Sequence, residues 1–165
     1  MTSTAEDRGP GDLHRAGGPR PAGVGVGTAG SRARPVPARH DRPFWAGLRE
    51  HRLVLPHCPD CAAYWYPPAP RCRRCLGPAV SWRECPGRGT LWSWASAKRA
   101  FAPGLGVPYT VVQVELDAQP GLLIDSTLDA GDGSPPRLGL PVTAVYLDDP
   151  RGFTVHAFRA CGGSS

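Results

Sequence analysis

At 165 residues the chain has room for one ordinary domain, or a small domain with an appended module and a tail, and this excludes a large two-domain enzyme. The formal charge is +5, but eighteen of the nineteen basic residues are arginine, a skew that matches GC-rich coding as well as selection for function. Residues 1–42 hold seven Arg against four acids and residues 43–165 hold twelve basic against ten acidic residues, so the part expected to fold is nearly balanced and lacks the uniform basicity of a phosphate-backbone binder.

No apolar run approaches the roughly 20 residues that span a bilayer, and the N-terminus lacks the order of a secretion signal. A cytoplasmic protein is expected. In a reducing compartment its six cysteines, four of them in CxxC pairs, favour metal over disulfides.

Residues 1–41 carry eight Gly, five Pro and no aromatic residue, too little apolar surface to offset the entropy of ordering, so a disordered tail is expected. Gly25, Gly27 and Gly30 spell GxGxxG, but neither a strand before nor a helix after is legible, so dinucleotide binding is not expected there. From Asp41, "DRPFWAGLREH" predicts a short docking helix with Asp41 or Arg42 near its N-cap, Pro43 in its first turn, and Phe44, Trp45 and Leu48 on one side. "RLVLPHC" then reads as a strand leading into the first cysteine pair.

After the cysteines, "TLWSWASA", "YTVVQVEL", "GLLIDST", "VTAVYL" and "FTVHAFR" read as short strands separated by Gly-, Pro- and Asp-rich turns. Val112, Val114 and Leu116 alternate with Val111, Gln113 and Glu115, while both faces of Phe153–Phe158 are partly apolar. Five such strands in about 75 residues fit a small closed barrel better than an open sheet, because closure removes exposed edges.

Cys58, Cys61, Cys72 and Cys75 have the spacing of two knuckles that complete a tetrahedron around a metal. Four sulfurs leave no open coordination position, so structural zinc is the preferred reading; iron in the same cage, thiol redox chemistry and a site without metal remain the alternatives. The residue after the second cysteine of a knuckle is often Gly, to permit positive φ, and here Ala62 and Leu76 stand there. His57 has no role beside a complete cysteine set. Cys85 and Cys161 are expected to be buried or incidental thiols.

Together, "RPFWAGLREHRLVLPHCPDCAAYWYPPAPRCRRC", "SWRECPGRGTLWSW", "PYTVVQVEL" and "GLPVTAVYL" resemble the family catalogued as domain of unknown function 35. The carriers are the aromatic helix before Arg52–Leu55, the two CxxC pairs with Pro67 and Pro68 between them, the segment Gly87–Ser93, and Gly139, Pro141 and Val142. The resemblance implies a mainly β chain: a short N-terminal helix, a rubredoxin-like zinc ribbon and a C-terminal OB-fold barrel. The expected divisions are a tail over 1–41, helix and lead-in strand over 42–56, ribbon over 57–84, OB-fold over 85–160 and a disordered end over 161–165.

The family implies a non-catalytic accessory subunit that helps bind a CoA-linked acyl chain or stabilises a thiolase-like, hydratase-like or aldolase-like partner. The residues agree, since the expected folded part offers only His51, His57 and His156 and shows no HExxH, no GxSxG and no close carboxylate pair on a strand. His156 is expected at the surface. Arg71, Arg73 and Arg74 of the ribbon, with Arg83, Arg88, Lys98 and Arg99 near the first barrel strand, are candidate contacts for CoA phosphates or for the partner. Trp92 and Trp94, with Trp82, are candidates for an adenine ring or a partner's apolar patch, although period-2 tryptophans more often belong to a barrel core. The rival readings are a single-stranded nucleic-acid binder built from ribbon and OB barrel, which the near-neutral charge disfavours, and a CxxC redox enzyme.

Overall fold

Pro43 and the apolar pair Phe44 and Leu48 set the first helix. The structure, a computed structural model, describes residues 33–99, 107–129 and 135–161. The GxGxxG segment and most of the expected tail lie outside these residues, as do residues 162–165. Helix α1 spans Arg42–Arg49 with Pro43 in its first turn; Asp41 occupies the N-cap position, but its side chain makes no capping bond. Phe44, Gly47 and Leu48 are buried. The chain reverses at His51, which is left-handed at φ 55°, and the N–H groups of Glu50 and Arg52 both donate to the Gly47 carbonyl.

Strand β1 (Val54–His57) follows and pairs antiparallel with β2 (Ser81–Glu84), Val54 facing Glu84 and His57 facing Ser81. The cysteine-bearing excursion runs between these two strands. β2 is not legible in advance, because "SWRE" is short and without β-branched residues; it is a strand because β1 is there to pair with it.

The remaining strands are β3 (Arg88–Ala97), β4 (Tyr109–Leu116), β5 (Leu123–Asp129), β6 (Pro141–Asp149) and β7 (Phe153–Ala160). They form a closed barrel in the order β3-β4-β5-β7-β6, with β6 returning to β3, and β5 with β7 is its parallel pair. The expected barrel and its five strands are therefore present. Thr110, Val112, Val114 and Leu116 point inward from β4 while Val111 is exposed, as period-2 alternation requires.

One core joins the barrel to α1 and β1. Leu91, Val114, Ile124, Val142 and Phe158 of the barrel pack in the same cluster as Phe44 and Leu48 of α1 and Leu53 and Leu55 around β1. Each such fully buried side chain contributes on the order of 1.5–3 kcal/mol. The ribbon is attached to this body at two points. Gln119, in the β4–β5 turn, accepts a hydrogen bond from the Tyr64 N–H at 2.9 Å and donates to the Tyr64 carbonyl at 3.2 Å, acting as one extra rung between ribbon and barrel. Tyr66 meets Phe44 and His156 with ring centroids 5.9 and 6.3 Å apart, and Phe44 meets His156 at 5.8 Å, so helix, ribbon and barrel share one aromatic junction.

No helix among the described residues is long and apolar enough to cross a membrane. At Gly89 the backbones of β3 and β4 come so close that a Cβ would lie 2.3 Å from the Glu115 carbonyl oxygen. Because that atom is backbone of the paired strand, it cannot swing aside. Gly89→Ala is expected to lower the urea midpoint by an amount equivalent to about 1–3 kcal/mol, checked by equilibrium denaturation against the wild-type chain.

Candidate functional site

The two knuckles are built alike. In the first, Cys58 N–H donates to the Ala63 carbonyl and Ala62 N–H to the Cys58 carbonyl, both at 2.9 Å; in the second, Cys72 N–H donates to the Gly77 carbonyl at 3.0 Å and Leu76 N–H to the Cys72 carbonyl at 3.1 Å. Each turn needs a left-handed residue after its second cysteine. Ala62 at φ 57° and Leu76 at φ 61° supply it without glycine.

The four Sγ atoms lie within 4.8 Å of one another. Cys58 to Cys75 and Cys61 to Cys72 are both 3.6 Å, close to the edge of about 3.8 Å that a tetrahedron with Zn–S bonds near 2.3 Å demands. The donor set therefore fits zinc. Backbone N–H groups of Cys75 and Arg74 donate to the Cys72 sulfur at 3.5 and 3.3 Å and hold its thiol below the ordinary range, which favours the thiolate a metal requires. A closed four-sulfur set holds metal for structure and leaves no position for water or substrate.

His57 stands outside this set. It is buried, packs edge-on against Tyr64 at 4.8 Å, and its Nδ1 lies 3.3 Å from the Ser81 hydroxyl. Cys85 is buried in the core, where burial pushes its thiol up to about 11, so it is inert at neutral pH; Cys161 is exposed.

The anticipated contact residues separate into two places. Arg71, Arg73 and Arg74 are exposed on the second knuckle, and Arg73 and Arg74 line an open cleft of about 410 Å³ between ribbon and barrel, with Tyr64, Trp65, Tyr66 and Gln119 on its other walls. Trp92, Trp94, Lys98 and Arg99 do not line this cleft; they are exposed on and just after β3. The alternative for the two β3 tryptophans, a place in the barrel core, does not hold, since Trp92 is 55 % and Trp94 40 % exposed. A β-bulge between Leu91 and Ser93 leaves Trp92 without a cross-strand partner and breaks the alternation there, whereas Trp94 stands opposite buried Val112 and is nevertheless exposed. Trp82 is partly buried against the main core.

His156 also departs from the surface position expected of it. It sits in the aromatic junction against Phe44, Tyr66 and Phe158, its Nε2 is buried without a partner, and burial lowers its pKa to about 4. Its neutral ring is a packing element. His51, the third histidine, lies at the surface, stacked on Tyr146 and 3.0 Å from Asp148.

A second, larger cleft was not signalled by any motif. It has a volume of about 740 Å³ and lies between residues 34–37, α1 and the turn joining β6 to β7. The helix was expected to dock by its apolar side; its other side carries this cleft.

The family model described as the ChsH2 rubredoxin-like zinc ribbon domain matches residues 45–81, and that described as the ChsH2 C-terminal OB-fold domain matches residues 82–147, so the two run without a break from α1 into β6. The chain belongs to the ChsH2-type family of zinc-ribbon and OB-fold proteins. Among curated proteins it is 29 % identical over 117 residues to the 3-oxo-4,17-pregnadiene-20-carboxyl-CoA hydratase alpha subunit of Mycobacterium tuberculosis; the match covers 71 % of this chain but only 37 % of that subunit. Among solved structures it resembles the Ltp2-ChsH2(DUF35) aldolase with a TM-score of 0.66 and 28 % identity, covering 77 % of this chain and 98 % of that one. A DUF35 protein of unknown function from Sulfolobus solfataricus has the same fold at a TM-score of 0.55 and 12 % identity, over 75 % of this chain and 87 % of that one. ChsH2-type relatives are thus parts of a hydratase and of an aldolase.

Leu76 is 70 % exposed, so replacing it by glycine removes left-handed strain and little packing. Leu76→Gly is expected to raise stability by about 0.5 kcal/mol, the strain relieved exceeding the entropy glycine adds to the unfolded chain, as read from urea midpoints of the metal-loaded protein. His156 has a folded pKa below its unfolded value, so the stability it contributes is complete above about pH 6.5 and is lost as pH falls toward 4. His156→Phe should flatten that part of the stability profile relative to wild type. The comparison isolates the histidine, because acid release of metal is common to both proteins.

Proposed function

We propose that this chain is a non-catalytic accessory subunit that stabilises a thiolase-like, hydratase or aldolase partner and helps to hold the CoA-linked substrate. The observation that carries the reading is a closed metal centre together with an exposed apolar strip on β3. Trp92 is 55 % and Trp94 40 % exposed on β3, and large aromatics left uncovered in this way mark an interaction surface.

The chemistry of the strip selects the occupant. Tryptophan at the centre with Lys98 and Arg99 at the end of β3 suits an apolar protein face bordered by acids. We assign this strip to the partner enzyme, and Arg71, Arg73 and Arg74 to a flanking contact on the ribbon. Against a catalytic role, His57 is buried against Tyr64, His156 is partly buried among aromatic rings with its Nε2 out of reach of water, and His51 is paired with Asp148 at the surface. The family relationship supports the same reading, since its relatives are parts of a hydratase and of an aldolase.

The test is co-purification of the tagged chain from its native cell extract, with metal measured in the eluate. A thiolase-like, hydratase-like or aldolase-like protein is expected in near-equal amount, with about one zinc per chain. Trp92→Ala with Trp94→Ala should lower its recovery at least tenfold while leaving the zinc content unchanged. Recovery of the chain alone, or with nucleic acid, would replace the proposal with a binding-module reading.

A further inference from the structure

Among the described residues three arginines are paired with carboxylates, and the others, Arg73 and Arg74 of the ribbon cleft among them, are not; what sets the larger cleft apart is that three of the unpaired ones converge on it. Arg52 pairs with Glu50 and Glu84, Arg151 with Asp149, and Arg159 with Asp129. Arg34, Arg42 and Arg49 have no carboxylate partner among the described residues, and all three line the 740 Å³ cleft. No Asp or Glu among the described residues lines it.

The fold brings them together. Arg42, Trp45, Ala46 and Arg49 recur at i, i+3, i+4 and i+7, one stripe of α1, and the burial of Phe44 and Leu48 on the other side keeps that stripe turned outward. Arg42 and Arg49 are two turns apart, about 10.5 Å along the axis, so they present two separated guanidinium forks. Arg34 adds a third from the extended segment before the helix. Between them the walls are flat and apolar: three prolines, Trp45 and Phe153. Thr154 closes one end, its hydroxyl already donated to Asp148 at 2.7 Å.

Three uncompensated guanidinium groups around an apolar floor match a ligand with several phosphates and an aromatic ring, since arginine binds phosphate through paired, charge-assisted hydrogen bonds. The volume lies within the range of about 300–1,000 Å³ usual for small-molecule sites. We propose that this cleft binds the 3′-phosphorylated adenosine diphosphate end of a CoA thioester. The choice of CoA among phosphorylated ligands rests on the accessory-subunit reading above; the preference for a polyphosphate rests on the cleft alone. The ribbon cleft, about 410 Å³ with Arg73 and Arg74, is the competing location.

The test uses the full-length, zinc-loaded chain and measures binding of free CoA, dephospho-CoA and ADP by titration calorimetry. CoA is expected to bind at least tenfold more tightly than dephospho-CoA and ADP. Arg42→Ala with Arg49→Ala should weaken CoA at least tenfold, Arg42→Lys with Arg49→Lys should weaken it by less, and Arg73→Ala with Arg74→Ala should leave it unchanged. Zinc content and thermal midpoint show that each variant is folded. Absence of CoA binding to the wild-type chain overturns the proposal, as does loss of binding only in the Arg73/Arg74 variant. Equal affinity for CoA, dephospho-CoA and ADP would overturn the CoA assignment in favour of a general nucleotide site. The same Arg42/Arg49 variant is carried through the co-purification: if it loses the partner enzyme while its affinity for CoA is unchanged, the cleft holds an acidic protein segment and the proposal fails. Retention of the partner by a chain that binds no CoA would sink this inference and leave the accessory role standing.

Discussion

The four-sulfur centre is the constraint from which the rest of the ribbon follows. Its own buried cluster consists of Cys58, Ala63, Trp65 and Cys72, with Cys61, Ala69 and Val80 packed at the edge. So small an apolar core cannot by itself offset the entropy of ordering the excursion between β1 and β2. Metal binding of order 10 kcal/mol supplies what the core lacks, and it readily absorbs the left-handed strain at Ala62 and Leu76. The ribbon is thus a metal-dependent clasp grafted onto a barrel that has a core of its own.

What the clasp presents to the barrel is the segment Tyr64–Tyr66. Its backbone is gripped by the Gln119 side chain, and Tyr66 enters the junction with Phe44 and His156. A helix, a metal knuckle and a barrel strand are therefore held by contacts of different physical kinds at neighbouring points. The junction is tolerant of a histidine only because the ring stays neutral there, which is why burial lowers its pKa so far.

The outer surfaces divide the chemistry. The hairpin of β3 and β4 carries exposed tryptophans, the outward stripe of α1 carries arginines without a carboxylate partner among the described residues, and the four cysteines lie in the excursion between β1 and β2. A protein face and a polyanion call for such opposite surfaces, one giving up water easily and the other offering fixed charge. Both are positioned by elements anchored in a single core, so an assembly that engaged both would need no rearrangement of the chain.

Much of this architecture was written locally. The CxxC pairs, the Pro-started helix with Phe44 and Leu48, and the alternation from Val111 to Leu116 each depend on near neighbours, and each appears where the sequence pattern placed it. β2 did not, because its strand character is conferred by β1 across the ribbon. Whether Trp92 and Trp94 were contact residues or core was not legible, because a bulge, a property of the paired strands, interrupts the alternation at Trp92, and His156 read as surface until α1 and Tyr66 covered it. The arginine cleft was invisible for the same reason: Arg34, Arg49 and Phe153 are distant in sequence and become one site only when α1 packs on β7. The sequence by itself determined the clustered cysteines and the five barrel strands, because spacing and period are local properties; the tertiary structure alone decided which side chains were left uncovered, because exposure is set by what the rest of the chain packs against.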